Sequence, residues 1–207
     1  MRTPVRVTDE VERRMVHLGR LGRATMVFAG LAFAVPAAAQ TAAPEGYTGT
    51  LNWYHQQAEA GNARAQFLLA IKYETGTDVR QNIARAADLY ERAAVQGLTD
   101  AQFKFATFLE TGRGRPVDMA AAEVWYRAAA LRAHPSAQYN LGVMLLNRAE
   151  TDDAMAEAIS WLLRASRAGL TPAQDLTARI SRLHPADVMT NARMLSELPL
   201  SPTAGAR

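Results

Sequence analysis

An internal period of 36 residues constrains this chain more than any other feature of its sequence. The dipeptide Ala-Gln recurs four times at equal steps of 36 residues, at 65–66, 101–102, 137–138 and 173–174. Four residues before each pair stands a small residue suited to a helix end, namely Gly61, Gly97, Ala133 and Gly169. A fixed period of this length is typical of helical repeat arrays, in which each unit is one supersecondary element.

Within each period the pattern predicts two helices. Apolar residues at three- and four-residue spacing mark the first helix, as at Ala65, Leu69 and Tyr73. Asn82 and Asp118 stand where a second helix begins, and such side chains accept hydrogen bonds from its free amide groups. No run alternates with period two, so we expect no strand. One hairpin cannot bury its apolar side alone, and we therefore expect the hairpins to stack.

The repeated residues resemble the Sel-one-like repeat family, relatives of the tetratricopeptide repeats, with the pattern A-x-x-x-L-G-x-x-Y-x-x-G-x-G-V-x-x-D-x-x-x-A-x-x-W-Y-x-x-A-A-x-x-G. The first unit matches it at Ala65, Leu69, Tyr73, Gly76, Val79, Ala86, Tyr90, Ala93, Ala94 and Gly97. The second unit matches at Ala101, Gly112, Gly114, Asp118, Ala122, Trp125, Tyr126, Ala129 and Ala130. The third unit keeps Ala137, Leu141, Gly142, Ala158, Trp161 and Ala165.

The resemblance implies an all-α, right-handed α-solenoid of antiparallel helix hairpins, with about three full repeats and half-repeats or caps at both ends. The third unit has Arg148 and Glu150 where the turn glycines belong. Two explanations are open: Asn147 takes the positive φ, or the loop differs. His184 and Pro185 then open a last helix to about Leu198, which we expect to act as a cap.

The first 39 residues have the features of a secretory signal peptide. A basic flank precedes an apolar run from Ala24 to Val35, and small residues end the segment before Gln40. We expect cleavage after Ala39 and a periplasmic or secreted product, with translation starting at Met1 or Met15.

Three further segments follow the leader in this interpretation. We expect a flexible linker over 40–50, the repeat array over 51–198 and a disordered tail over 199–207. No later stretch is apolar enough to span a bilayer, so we predict no stable membrane span after cleavage. The sequence makes no prediction about the oligomeric state.

Charge and cysteine content narrow the choice of partners. Six of the 23 Lys and Arg and three of the 20 Asp and Glu precede Gln40, so the remaining chain carries 17 of each. This balance disfavours a nucleic-acid partner, which requires a basic surface. The chain has no cysteine, and we expect packing to supply its stability.

The sequence contains no group of residues that indicates catalysis or metal binding. His55, His134 and His184 are far apart, without acidic residues at ligand spacing. There is no Cys nucleophile, no G-x-S-x-G and no phosphate-binding glycine loop. The stretch GRGR at 112–115 falls on an inter-helix turn and favours a structural role. We predict no enzymatic activity, no cofactor and no metal.

A binding surface is the remaining possibility. If the first helix of each hairpin lines the concave side, as in the tetratricopeptide relatives, nine residues face the groove: Arg64, Phe67, Ile71, Asp100, Phe103, Thr107, Ser136, Tyr139 and Val143. Phe67, Phe103 and Tyr139 form one aromatic row at the 36-residue period. Two interpretations are open: the row binds an extended or helical peptide, or it packs between repeats. The exposure of the rings distinguishes them.

These observations predict a non-enzymatic scaffold or adaptor of the bacterial envelope, with a protein or peptide bound on the concave side. The resemblance implies a more specific alternative, because exported members include regulators that hold sensor kinases or envelope enzymes in check. It also implies a third, an enzyme acting on cell-wall or antibiotic substrates, since cysteine-rich relatives are reported to act on such antibiotics. The missing cysteines disfavour the third alternative.

Overall fold

The computed structural model describes residues 49–184 and 186–200. These residues form nine helices and no strand: α1 Gly49–Glu59, α2 Ala63–Thr75, α3 Ile83–Val95, α4 Thr99–Thr111, α5 Met119–Leu131, α6 Pro135–Leu146, α7 Asp152–Arg167, α8 Thr171–Leu183 and α9 Ala186–Glu197. The all-α prediction is thereby confirmed. The expected signal peptide and residues 40–48 of the expected linker lie outside the described residues, as does the tail from 201 onward.

The helices stack as successive hairpins. The pairs α2–α3, α4–α5 and α6–α7 are three full units, and each second helix also packs on the first helix of the next unit. Helix α1 is the second helix of a preceding half-unit, and α8 is the first helix of a following one. The helical pairs therefore form the α-solenoid that the period predicted.

Side-chain caps begin the second helices as the sequence predicted. The side chains of Asn82 and Asp118 accept hydrogen bonds from the amides of Arg85 and Ala121, at 3.0 and 2.9 Å. Positive φ angles follow the second helices of the units, including φ 94° at Gly61 after α1 and φ 60° at the non-glycine Ala133 after α5. At these positions the positive φ lets the chain reverse and enter the next first helix.

The turn of the third unit differs from the other two. Asn147 has φ −66°, so the explanation that it takes a positive φ is wrong. Instead Thr151 caps α7, which begins at Asp152, three residues earlier in the repeat than Met119 begins α5. A longer helix thus replaces the glycine-containing turn.

The alanine and glutamine of each repeated pair have separate roles. The alanines at 65, 101, 137 and 173 are all buried where helices meet. Each glutamine side chain donates to the backbone carbonyl eight residues earlier, at the end of the preceding helix. The donor–acceptor distances run from 3.0 Å for Gln66 to 3.3 Å for Gln102 and Gln174. Each of these carbonyls also accepts from the backbone amide three residues later, so the glutamine adds a second donor that ties its own helix to the end of the preceding one.

Helix α6 approaches α7 closely at Gly142. A Cβ atom on Gly142 would lie 2.7 Å from Cγ of Leu162 and 3.0 Å from the carbonyl oxygen of Ala158. Units one and two have the buried residues Ala70 and Ala106 at this repeat position. The glycine therefore makes room for the branched side chain of Leu162.

The two ends of the array differ. Trp53 on α1 is 52% exposed, whereas Trp125 and Trp161, at the same repeat position, are 5% and 7% exposed. Trp125 packs edge-on against Phe105 of its own first helix, with ring centroids 5.6 Å apart. Such a helix does not precede α1 among the described residues, and so the Trp53 ring is open.

At the other end, α9 folds back on α7 instead of continuing the array. The Arg164 guanidinium donates to the carbonyl oxygens of Leu195 and Leu198, at 2.6 and 2.8 Å, and Arg167 bonds the Ser196 hydroxyl. These bonds hold the carboxyl-terminal end of α9 against α7. Helix α9 is the helix that the sequence predicted as the cap of the array. Within 49–184 and 186–200, no helix combines the length and the hydropathy that a membrane crossing requires.

Candidate protein-binding site

The nine predicted groove residues lie on the three first helices, α2, α4 and α6. Arg64 and Asp100 are exposed, and the other seven are partly buried: Phe67, Ile71, Phe103, Thr107, Ser136, Tyr139 and Val143. All nine thus keep some surface open to solvent. Whether a partner contacts that surface stays a prediction.

The aromatic row packs between helices. The Phe67 ring lies 5.6 Å from the Tyr90 ring, and the Phe103 ring lies 6.0 Å from the Tyr126 ring, measured between centroids. Tyr139 packs against an apolar cluster formed by residues of α7, α8 and α9, including Leu162, Ile180 and Met189. The rings therefore pack between helices, as one of the two interpretations predicted. The binding of a partner by their partly exposed edges stays a prediction.

His134 joins two of the predicted residues to the next unit. Its ring stacks on Phe103 with centroids 4.6 Å apart, and its Nε2 lies 3.7 Å from Oδ1 of Asp100. Its Nδ1 accepts from the backbone amide of Ala137 at 3.1 Å and so caps α6. Burial lowers the pKa of His134, and the nearby Asp100 charge opposes part of that change.

A buried hydroxyl lies beneath the middle of the row. The Tyr126 hydroxyl donates to Oε2 of Glu110 at 2.6 Å and accepts from Nδ2 of Asn140 at 2.9 Å. It also lies 3.1 Å from Oγ1 of Thr107, one of the predicted residues. Burial, together with the bond to Glu110, raises the pKa of Tyr126 to about 12. The hydroxyl is therefore protonated and serves as a fixed hydrogen-bond donor.

Unit one contains the same pair of residues in a different setting. The Tyr90 hydroxyl donates to Oε2 of Glu74 at 2.5 Å, and burial raises the pKa of Tyr90. Glu74 also receives Nζ of Lys104 at 3.3 Å and Nη1 of Arg113 at 2.8 Å. Burial alone would raise the pKa of the Glu74 carboxyl, but the hydroxyl and the two cations outweigh it and hold this pKa below its ordinary value.

Sequence reasoning missed these Tyr–Glu pairs. The signal was present, because Glu74 and Glu110 are separated by one period, and so are Tyr90 and Tyr126. Considered alone, each tyrosine matched the repeat pattern, and each glutamate resembled a solvated residue at a helix end. Only the fold brings the end of a first helix against the middle of the second.

The arginines of the GRGR turn hold neighbouring units together. Arg113 reaches Glu74, and Nη2 of Arg115 bonds Oδ1 of Asp88 at 2.8 Å and Oε2 of Glu91 at 2.5 Å. Both turn glycines have positive φ. The observed contacts agree with the structural role predicted for this stretch.

The aromatic row and the two Tyr–Glu pairs offer apolar surface and hydrogen-bonding groups. Across the described ranges, no group of three or more His, Cys, Asp or Glu side chains could hold a metal ion. Beneath the aromatic row, a protonated tyrosine is paired with a carboxylate in each of two units. Hydrogen bonding to a partner is the chemistry that they can supply.

Comparison with known proteins identifies the repeat. The Sel1 repeat family model matches residues 63–98, 99–134 and 135–170, which together make up just over half of the chain. These boundaries coincide with the three hairpins. A search of curated proteins finds no match to the chain.

The solved structures that are similar to this chain include two Sel1-like repeat proteins. A Sel1 repeat protein from Oxalobacter formigenes has a TM-score of 0.56 and 29% identity, over 63% of this chain and 98% of that one. The protein c5321, described as a protective antigen present in uropathogenic Escherichia coli strains that displays an SLR fold, has a TM-score of 0.51 and 22% identity. The match covers 70% of this chain and 39% of c5321, and it supports the fold alone. The chain belongs to the Sel1 repeat family, whose members are generally protein-interaction scaffolds.

Proposed function

We propose that this protein is a non-enzymatic scaffold of the bacterial envelope that binds a protein or peptide along α2, α4 and α6. The family's general role supports protein binding. The leader-like segment before Gln40 supports export, and the balanced charge after it favours a protein over a nucleic acid.

One observation carries the binding surface. Phe67, Phe103 and Tyr139 occupy the same repeat position and keep partial exposure, while Tyr90 and Tyr126 beneath them are fully buried. A segment lying across the three first helices would bury one aromatic edge in each unit. Aromatic rings with polar neighbours are common anchors at protein interfaces. A regulator of a sensor kinase or envelope enzyme is a narrower form of the same proposal.

A capture experiment tests the surface. The wild-type protein and a variant with Phe67, Phe103 and Tyr139 changed to Ala serve as baits in a periplasmic extract. We expect the variant to retain at most a tenth of each specific partner, because removing an interface anchor commonly costs about 2 kcal/mol or more. The captured amounts are measured by quantitative mass spectrometry, and the partner's identity tells a general adaptor from a regulator.

The matched control removes apolar surface elsewhere. Val95, Val117 and Met119 are large exposed side chains outside the aromatic row, and their change to Ala should leave capture unaltered. Circular dichroism verifies that each bait is folded. Equal capture by the aromatic variant and the wild type, with intact helical spectra, would refute this binding surface.

A further inference from the structure

Units one and two carry a glutamate at the same repeat position, Glu74 and Glu110. Cationic side chains of the protein bond the first glutamate but not the second. Glu74 in unit one and Glu110 in unit two each accept a hydrogen bond from a buried tyrosine, at 2.5 and 2.6 Å. The tyrosine therefore orients both carboxylates alike. What surrounds the remaining acceptor positions differs between the units.

In unit one the chain supplies its own cations. The Lys104 ammonium lies 3.3 Å from Oε2 of Glu74, and the Arg113 guanidinium lies 2.8 Å from Oε1. Both cations come from the following unit. The Glu74 carboxylate thus has a hydroxyl, an ammonium and a guanidinium as donors, which compensates its charge.

In unit two the corresponding cations are missing. One period after Lys104 stands Asn140, and one period after Arg113 stands Ala149. Asn140 donates to the Tyr126 hydroxyl and not to the carboxylate. Among the described residues only Tyr126 bonds Glu110, and it does so at Oε2.

The second oxygen of Glu110 faces solvent. The Glu110 side chain as a whole is partly buried. Its Oε1 has no hydrogen-bond partner among the described residues, and it is not one of the unpartnered atoms that are buried, so it is open to solvent. A carboxylate oxygen with no protein donor, held in place by a buried hydroxyl, is an acceptor for an outside group. Burial of its partner Tyr126 keeps the carboxylate from turning away.

We propose that Glu110 binds a cationic side chain of the partner, an arginine or lysine, in the place that Lys104 and Arg113 take at Glu74. This inference deepens the proposed scaffold function and rests on it. Arginine fits best, because its planar guanidinium presents paired donors in the geometry that a carboxylate accepts.

The position suits a side chain that arrives along the aromatic row. Thr107 bonds the backbone carbonyl of Phe103 and also lies against Tyr126, which holds Glu110. Phe103 packs on the same tyrosine. Glu110 lies seven residues after Phe103 on the same helix, so a partner that covers the Phe103 edge passes within about two helical turns of the carboxylate. A divalent metal ion is a poorer fit, because one carboxylate supplies too few of the ligands that such ions require.

A titration followed by amide nuclear magnetic resonance tests the chemistry without a known partner. The probe is N-acetyl-argininamide, and the neutral control is N-acetyl-norleucinamide. We expect saturable shifts at the Asn140 side-chain amide and the Thr107 backbone amide with the arginine probe alone. Glu110→Gln should weaken the response at least tenfold, whereas Glu74→Gln should leave it unchanged because that carboxylate is occupied.

A second variant fills the site from within the chain. Asn140→Lys places an ammonium on α6 at the repeat position of Lys104, and we expect it to weaken the arginine response at the Thr107 amide at least tenfold. Equal shifts with the neutral probe, or an undiminished response in folded Glu110→Gln, would overturn the proposal. If Glu110→Gln captures partners as well as the wild type while the aromatic variant does not, the scaffold function stands and only this inference fails.

Discussion

At the scale of single residues, a buried side-chain amide can join two helices that the backbone alone leaves unconnected. Gln138 donates to the carbonyl oxygen of Ala130 at 3.1 Å, across the junction of α5 and α6. The same bond recurs at Gln174, which donates to Ser166 but is exposed because no further helix covers it. Gln138 and Gln174 thus make the same kind of hydrogen bond, and they differ in burial.

The pair gives a prediction with its own control. Gln138→Ala should lower the free energy of unfolding by about 1 kcal/mol, because a buried inter-helix hydrogen bond is lost while the Ala130 carbonyl keeps the Ala133 amide as a donor. Gln174→Ala should change it by no more than about 0.5 kcal/mol, since water replaces the lost bond. Urea unfolding followed by circular dichroism measures both. Equal effects at the two positions would contradict the role assigned to burial.

His134 should make stability depend on pH. Its pKa is lowered mainly by burial, so the unfolded chain binds more protons than the folded one between the folded pKa and the unfolded value of about 6.5. The stability contributed by the neutral ring is therefore full above pH 6.5 and is lost as the pH falls toward the folded pKa. Protonation of Nδ1 would also remove the acceptor for the Ala137 amide.

His134→Asn isolates this effect. Asparagine caps α2 at the same repeat position, where Asn62 accepts from the Ala65 amide at 3.0 Å. The variant should keep the cap and lose stability less steeply between pH 7 and 5, as measured by urea midpoints. The pKa of His55 is also lowered by burial, so a smaller decline should persist. Identical pH profiles for variant and wild type would exclude His134 as a source.

At the scale of helices, the contact between α6 and α7 depends on the absence of one methyl group. Helix propensity alone predicts that Gly142→Ala stabilises α6 by about 0.5–1 kcal/mol. The new Cβ would meet Leu162 at 2.7 Å, and overpacking of this kind costs about 1–3 kcal/mol. We therefore expect a net loss of stability, measurable by thermal unfolding.

A double variant separates the two effects. In a Leu162→Ala background the two closest atoms are gone and only the Ala158 carbonyl oxygen, at 3.0 Å, still crowds the new Cβ, so Gly142→Ala should lower the melting temperature less than it does in the wild type. The cost of the glycine substitution thus depends on the residue at 162. A substitution that destabilises equally in both backgrounds would indicate that Leu162 is not the obstacle.

At the scale of the whole molecule, the fold was largely predictable because a 36-residue period is a strong constraint. The period located the hairpins, and the caps at Asn82 and Asp118 were confirmed. The turn after Leu146 was not predictable, since it depends on whether α7 gains another turn at its start. That choice rests on Thr151 as a cap and not on a periodic residue.

The candidate site was less predictable than the fold. Spacing along the chain placed Phe103 and Thr107 on one helix, and both lie there. Glu110 follows Thr107 by three residues on the same helix, but its bond to Tyr126, sixteen residues away on another helix, is not revealed by helical spacing. The partial burial of the aromatic row was not predictable either, because the exposure of each ring depends on the residues of the neighbouring unit.

Export is a prediction about the whole chain. In its native bacterium, we expect the protein in the envelope fraction with Gln40 at its amino terminus, since small residues precede that position. Ala39→Asp should block processing and retain the leader. Mass spectrometry of the intact protein reads out both. A cytoplasmic protein that begins at Met1 or Met15 would contradict the envelope assignment.

The unequal ends give the array a direction in which it can be lengthened. An engineered helix placed ahead of Gly49, with a bulky residue where Phe105 stands in unit two, would meet the uncovered ring of Trp53. Beyond α8 an added helix would meet the exposed residues Gln174, Ala178 and Ser181 and would compete with α9 for space. A protein engineer who wants a longer binding surface should therefore add hairpins at the amino-terminal side.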